Sequence, residues 1–191
     1  MSKIPLFHNL IASGFGSGYS PIAPGTAGAL LATLIWWGYA SLFNDYYQTL
    51  QCTFLLVCIF TFLGIWSSGV SEKYWGKDPS RVVIDEMVGT WIALLAVPAD
   101  NYIGYMFAAF ILFRFFDILK PLGIKQAEKL PSGYGIMADD FLSGIYGGIV
   151  ILLYRFGCGG KIYSYLFAKR EGYLCSSERS SLHRLLLLLT F

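Results

Sequence analysis

The chain has 191 residues, of which 55% are hydrophobic and 14% are charged, against about 25% charged in an average soluble domain. This composition excludes a disordered chain, and it leaves too few charges to cover the surface of a soluble globule. The net charge of +2 provides no basic field of the kind that binds nucleic acid. The composition therefore predicts a small polytopic membrane protein.

The N-terminal segment weakly resembles a secretory signal, because Lys3 precedes an apolar run. Pro5, His8 and Asn9 interrupt that run, and no small-residue cleavage site follows it. We therefore expect no cleaved signal peptide.

Five apolar stretches follow one another along the chain. Lipid offers no hydrogen-bond partners to the backbone, so each stretch is predicted to be a helix. A helix needs about 20 residues to cross a hydrocarbon core about 30 Å thick, so the third stretch is expected to insert partway or to cross where the protein thins the membrane. The prediction is an all-α membrane bundle of about four to five helices, some short or partly inserted. The stretches are 26–43, 46–71, 82–97, 102–119 and 137–154.

The loops between these stretches differ in charge. With five crossings, the loops on one side carry seven basic residues, while the turns around Asp45 and Asp100 on the other side carry none. The positive-inside rule places the basic side in the cytoplasm. Six further basic residues, all after the fifth stretch, fall on the opposite side, where distance from the helix ends weakens their influence.

Five acidic residues lie at the margins of apolar stretches, all on the basic side. Ionisable groups at membrane depth cost several kcal/mol unless paired or solvated, so such residues are functional candidates. A single acid would be read as an interfacial ion pair, but five at one level favour a shared site. These residues are Asp85, Glu86, Asp117, Asp139 and Asp140.

Five bare carboxylates would repel one another, and a hard divalent cation relieves that repulsion. Mg²⁺ prefers carboxylate oxygens and keeps water and phosphate as further ligands. Arg114 and Lys120 flank Asp117 at i,i+3 spacing, so each can pair with Asp117 or receive a phosphate. Acids, metal and basic residues near the headgroup plane indicate chemistry on a lipid phosphate.

Several phosphatase designs do not fit this sequence. A cysteine-based phosphatase needs a nucleophilic cysteine followed closely by an arginine in a loop, and no cysteine here fits that design. A histidine-based lipid phosphatase needs two placed histidines, but His8 and His183 lie at opposite termini. The glycine-rich segment 14–18 is not followed by the Lys of a phosphate-binding P-loop. These exclusions favour water activated by a metal as the nucleophile.

Four motifs in order resemble the phosphatidylglycerophosphatase A family over about residues 10–156. They are the glycine- and proline-rich segment 14–26, the Val-Ile-Asp-Glu run 83–86, the segment 113–121 and the segment 133–140. The resemblance implies a Mg²⁺-dependent phosphatase of the bacterial inner membrane, which converts phosphatidylglycerophosphate to phosphatidylglycerol. Within this assignment the five acids are metal-ligand or base candidates, and the phosphate-binding candidates are Arg114, Lys120, Ser20 and Thr26.

The chain is predicted to divide into a membrane-embedded phosphatase domain, 1–156, and a C-terminal tail, 157–191, to which we assign no role. The sequence leaves the oligomeric state open. Two other functions are alternatives to a phosphatase: a small transporter or ion-conducting protein that uses intramembrane carboxylates, and a non-catalytic scaffold. A transporter would spread its acids through the membrane depth, and a scaffold would not need them to converge.

Overall fold

A computed structural model describes residues 4–43, 45–77, 79–99, 102–121 and 123–159. This part of the chain contains seven α-helices and no strand, which confirms the all-α prediction. The predicted tail falls almost entirely outside the described residues, so the domain division at residue 156 stays a prediction. The helices are α1 (Leu6–Ala12), α2 (Pro24–Phe43), α3 (Tyr46–Trp75), α4 (Ile84–Leu94), α5 (Tyr102–Leu119), α6 (Ile124–Ala127) and α7 (Gly133–Tyr154).

The helix boundaries follow local signals. α2 begins at Pro24, a residue suited to the first helical turn because it has no N–H to leave unpaired. Asp45 caps α3, and its side chain accepts a hydrogen bond from the Tyr47 backbone N–H at 2.8 Å. α3 continues beyond its predicted apolar stretch and ends at Trp75, and α7 begins before its predicted stretch, at Gly133. In both helices the hydrogen bonding continues beyond the apolar residues.

Four helices are long and apolar enough to cross a membrane: α2, α3, α5 and the segment Gly133–Gly157 that includes α7. Their outward faces carry large exposed side chains, such as Phe62 (76% exposed) and Ile111 (61% exposed). In water such faces would be unfavourable, whereas they suit contact with lipid tails. The protein is therefore a polytopic membrane protein.

The short helix α4 lies inside the bundle. It has 11 residues, or about 16 Å at a rise of 1.5 Å per residue, which is too short to cross a bilayer alone. Met87, Val88 and Trp91 are at most 1% exposed, and the Trp91 indole N–H donates to the Ala32 carbonyl at 3.0 Å. Beyond its acidic first turn, α4 is buried on every side, so it forms the core of this bundle.

The segment after α4 completes its passage through the bundle. Leu94, Val97 and Pro98 line a cavity of about 140 Å³ together with Asp45 and Tyr46, which mark the turn between α2 and α3. This backbone is not helical, but Val97 and Pro98 are buried by protein, where irregular backbone at membrane depth is tolerated. The third apolar stretch therefore passes through the bundle as a short buried helix followed by a buried coil.

Candidate active site

Three carboxylates from two helices meet at one end of the bundle. One oxygen from each of Asp85, Glu86 and Asp140 lies within 4.8 Å of the other two. α4 supplies the first two side chains from its first turn, and α7 supplies the third. The predicted convergence of acids from different helices is confirmed for these three residues.

The cluster leaves buried oxygens without hydrogen-bond partners in the described part of the chain. They are Asp85 Oδ1, Glu86 Oε2 and Asp140 Oδ1. A buried carboxylate without a partner is costly, and several together also repel one another. Carboxylate oxygens are the ligands of hard divalent cations, so the donor set fits a metal ion and can hold one.

Asp117 and Arg114 form a second element of the site on α5. Arg114 Nη1 lies 2.5 Å from Asp117 Oδ2, which confirms the predicted i,i+3 pair. Both side chains are mostly buried, and Arg114 Nε has no hydrogen-bond partner among the described residues. The guanidinium thus keeps donor capacity for an anion while Asp117 fixes its orientation.

The i,i+3 spacing predicts an ion pair of Lys120 with Asp117, but Lys120 pairs with Asp139 and Glu128. Its Nζ donates to Asp139 Oδ2 at 2.7 Å and to Glu128 Oε2 at 3.3 Å. α5 ends at Leu119 and Lys120 has a φ of +44°, so its side chain leaves the helix face that carries Asp117. Burial alone would lower the Lys120 pKa, but the hydrogen bond and charge of Asp139, with Glu128, raise it above its usual value.

The five predicted acids therefore divide into two groups. Three can share a cation, whereas Asp117 and Asp139 each neutralise a basic side chain. Asp139 also keeps a buried oxygen, Oδ1, without a hydrogen-bond partner in the described part.

A polar cavity of about 980 Å³ opens beside these groups. Glu72 from the last turn of α3 and Glu128 line it, although the sequence places both outside the site. Three further lysines line it, from the segments that follow α3 and α5. The sequence signal for them is their position in the same two basic segments from which the topology is predicted. These lysines are Lys77, Lys125 and Lys129.

Glycines in α2 bring Glu86 into the site. A Cβ at Gly25 would collide with Glu86 Oε1 and would lie 3.3 Å from Arg114 Nη1. A Cβ at Gly28 would lie 2.9 Å from Val83 Cβ. The absence of side chains at these two positions lets α2 pack against the start of α4.

The glycine-rich segment before α2 packs against the start of α4 and the backbone just before it. The Val83 N–H donates to the Ala12 carbonyl at 2.9 Å, and Gly18 lies against the Arg81 carbonyl. Gly14 has a φ of +52°, and a Cβ there would lie 2.7 Å from Met87 Sδ. This motif therefore holds the backbone that leads into Asp85 and Glu86.

The two predicted hydroxyl ligands lie near α2. Ser20 Oγ donates to the Ile22 carbonyl at 2.9 Å, and Thr26 lies in the first turn of α2. Neither is among the described residues that line the 980 Å³ cavity. Their role in phosphate binding stays a prediction.

Fold and site together define a class of protein: a polytopic membrane protein with a carboxylate cluster that can hold a metal ion and with an arginine at one end of its helices. The chain matches the sequence profile of the family described as phosphatidylglycerophosphatase A over residues 10–155. No solved structure matches it significantly.

Three relatives are similar over most of their length. A Bacteroides thetaiotaomicron protein named "Putative phosphatidylinositol-3-phosphatase" is 54% identical over 151 residues, or 78% of this chain and 94% of its own. Proteins named phosphatidylglycerophosphatase A from Haemophilus influenzae and Escherichia coli K12 are 40% and 36% identical. They cover 82% and 72% of this chain, and 94% and 77% of their own. The chain therefore belongs to the phosphatidylglycerophosphatase A family, and it is a phosphatase.

Proposed function

We propose that this protein hydrolyses the terminal phosphomonoester of phosphatidylglycerophosphate to phosphatidylglycerol and phosphate, with Mg²⁺, at the cytoplasmic face of a bacterial inner membrane. The observation that carries the proposal is the group of three carboxylates beside a polar cavity, each with a buried oxygen that has no hydrogen-bond partner among the described residues, in a chain of this family. The family supplies the reaction, and the cluster supplies the metal-binding groups that it requires.

Mg²⁺ is the proposed cation because every ligand that the cluster offers is a carboxylate oxygen. Mg²⁺ is usually bound by one or two carboxylates plus water and phosphate. Asp85, Glu86 and Asp140 would hold it, and the adjacent cavity leaves room for the other ligands. When bound, Mg²⁺ supplies Lewis acidity, which neutralises phosphoryl charge and makes water more acidic.

The chain's own residues then bind and orient the phosphate. Arg114 donates to phosphoryl oxygens in a fixed plane, because Asp117 holds its guanidinium. A carboxylate of the cluster accepts a proton from the attacking water as the water oxygen bonds to phosphorus. The bond from phosphorus to the glycerol oxygen breaks, and that oxygen takes up the proton that the carboxylate accepted. Phosphoryl transfer depends chiefly on positioning and electrostatics, so no covalent nucleophile is needed.

Ser20 and Thr26 are proposed to add hydrogen bonds to the phosphate from the α2 side. Gly25, next to Thr26, lies against Glu86 and Arg114, which puts the first turn of α2 beside the site. Ser20 would have to release the Ile22 carbonyl to take part.

The proposed cytoplasmic location follows from charge. Lys73 lies in the last turn of α3, and Lys77 and Arg81 lie between α3 and α4. Lys120, Lys125 and Lys129 lie between α5 and α7, so all six are at the end that holds the acids. Loops rich in Lys and Arg remain in the cytoplasm.

A second candidate substrate is phosphatidylinositol 3-phosphate, because the Bacteroides relative at 54% identity is named for that activity. Both lipids carry a phosphomonoester on the headgroup of a glycerophospholipid, so the same groups would serve either reaction. The transporter alternative is less favoured, because the five acids gather at one end of the bundle and do not follow a path through it.

The test is phosphate release by the purified protein in uncharged detergent micelles, with each lipid in turn, with Mg²⁺ or with a chelator. We expect turnover of phosphatidylglycerophosphate that stops with the chelator and returns when Mg²⁺ is added. Faster turnover of phosphatidylinositol 3-phosphate would favour the second candidate. No phosphate release from either lipid would contradict the proposal.

A further inference from the structure

The 980 Å³ cavity is lined by lysines as well as by the acids of the site. Its volume lies at the upper end of the range of about 300–1,000 Å³ seen for small-molecule pockets. One phosphate group bound at the carboxylate cluster leaves part of such a cavity unused. The lining lysines Lys77, Lys125 and Lys129 are therefore available to a second group on the same ligand.

Three of the lining lysines are not neutralised by the described residues. Lys120 is occupied by Asp139 and Glu128, but no ion pair within the described part involves Lys77, Lys125 or Lys129. All three side chains are exposed and line the cavity, so a ligand in the cavity can reach their charges.

Lys125 and Lys129 lie on an ordered platform. Ile124, at the start of α6, is fully buried and anchors this segment to the protein. Backbone hydrogen bonds join its turns, including Glu128 N–H to the Ile124 carbonyl at 3.2 Å. Lys125 lies in α6 and Lys129 lies in the turn that follows this helix, so one short ordered segment carries both.

Gly135 fixes the platform against α7. A Cβ at this position would collide with the Leu130 carbonyl and would lie 2.8 Å from the Glu128 carbonyl. The loop backbone thus rests directly on the first turn of the helix that carries Asp139 and Asp140. The lysine platform and the acids keep a fixed separation.

Both candidate substrates carry two phosphates. Each has the phosphomonoester that is removed and, across the headgroup alcohol, the phosphodiester that joins the headgroup to the lipid. We infer that Lys125 and Lys129, with Lys77, form a second subsite, which binds the phosphodiester while the acid cluster and Arg114 bind the phosphomonoester. The protein thereby selects lipids whose headgroup bears a second phosphate. This inference rests on the proposed function and adds to it a subsite that recognises the phosphodiester of the substrate.

The test compares Lys125→Gln/Lys129→Gln with the wild-type protein in uncharged mixed micelles of phosphatidylglycerophosphate. Two inhibitors each carry one of the two phosphate types: phosphatidylglycerol has only the phosphodiester, and inorganic phosphate stands in for the phosphomonoester. The KM and the inhibition constant of phosphatidylglycerol should both rise about fivefold, as expected for two exposed charge contacts. The kcat and the inhibition constant of inorganic phosphate should stay at wild-type values.

Two controls separate a subsite from general charge attraction. Lys73→Gln removes an exposed lysine near the same end that does not line the cavity, and it should change none of these constants. Oleate is anionic but has no phosphodiester, and it should inhibit wild type and variant equally. Lys125→Arg/Lys129→Arg should restore the wild-type KM.

The outcomes are distinct. An unchanged KM in the double Gln variant overturns the inference, as does equal weakening of oleate and phosphatidylglycerol inhibition, or no inhibition of the wild type by phosphatidylglycerol. Absence of wild-type turnover of either lipid refutes the proposed function itself.

Discussion

Asp85 and Asp140 approach each other from α4 and α7, and each leaves one buried oxygen without a hydrogen-bond partner in the part of the chain that the structure describes. Asp117 and Asp139 differ from them, because each has a basic partner within 2.7 Å. The chemistry of each acid is thus decided by its immediate neighbours, and mutation should reveal the difference.

Asp85→Asn or Asp140→Asn should lower phosphate release by more than about 100-fold, since the amide is almost isosteric but carries no charge for a cation. The midpoint temperature of thermal unfolding of the metal-free protein should stay the same or rise, because one repelling charge is removed. The matched control is Asp45→Asn at the other end of the bundle, where Asn caps a helix as well as Asp does. Near-normal turnover of Asp85→Asn at limiting Mg²⁺ would show that the metal site is misassigned.

Arg114→Lys should lower kcat/KM by about tenfold to 100-fold, since a hydrogen bond to a charged group contributes about 1.5–3 kcal/mol. An ammonium cannot hold both Asp117 and a phosphate in the plane that a guanidinium provides. Arg81→Lys is the control, because Arg81 is exposed at the same end and its guanidinium lies 5.6 Å from the Tyr19 ring. If Arg114→Lys were as active as the wild type, as Arg81→Lys is expected to be, this result would argue against phosphate binding by Arg114.

At the level of helices, glycines set the separation of α4 from α7. A Cβ at Gly144 would collide with the Gly89 carbonyl and would lie 3.0 Å from Ile92 Cβ. Gly144 is one helical turn after Asp140, on the same face of α7. The close contact between these helices therefore determines how near Asp140 lies to Asp85.

Gly144→Ala should destabilise the protein by about 1–3 kcal/mol, the usual cost of overpacking, and should reduce phosphate release as Asp140 shifts. Gly38→Ala is the control, since a Cβ there meets nothing within 4 Å. That control should be neutral or stabilising by up to about 1 kcal/mol from helix propensity. Thermal unfolding in detergent and phosphate release measure both effects, and an unaffected Gly144→Ala protein would contradict this packing.

For the whole molecule, the path of the chain puts both basic loops and the acids at one end. α2 starts there and α3 ends there, since Gly25 touches Glu86 and Glu72 lines the cavity. α4 and the coil after it lead to the opposite end, and α5 returns to Asp117. This path makes the orientation in the membrane testable from a few positions.

Single-cysteine variants at Lys77 and Ser132, in a background without native cysteines, should react with an impermeant reagent from the cytoplasmic side only. A cysteine at Asp45 should react only from the opposite side, because that turn lies at the other end of the bundle. Labelling of Lys77 or Ser132 positions from the periplasm would contradict the proposed orientation.

The sequence by itself determined the helices and the candidate acids. Apolar runs and charged margins are local properties, so α2 and α5 begin and end within two residues of the predicted limits. The i,i+3 pair of Arg114 and Asp117 was also predictable, because both residues lie on one helix.

Only the tertiary structure decided which groups meet. The pairing of Lys120 with Asp139 depends on the turn after α5 and on the approach of α7, and neither is encoded in local spacing. The enclosure of α4 depends on glycines in α2 and in the segment before it, whose role is visible only when the helices are packed. Local patterns set each element, whereas the distances between elements come from how their side chains fit together.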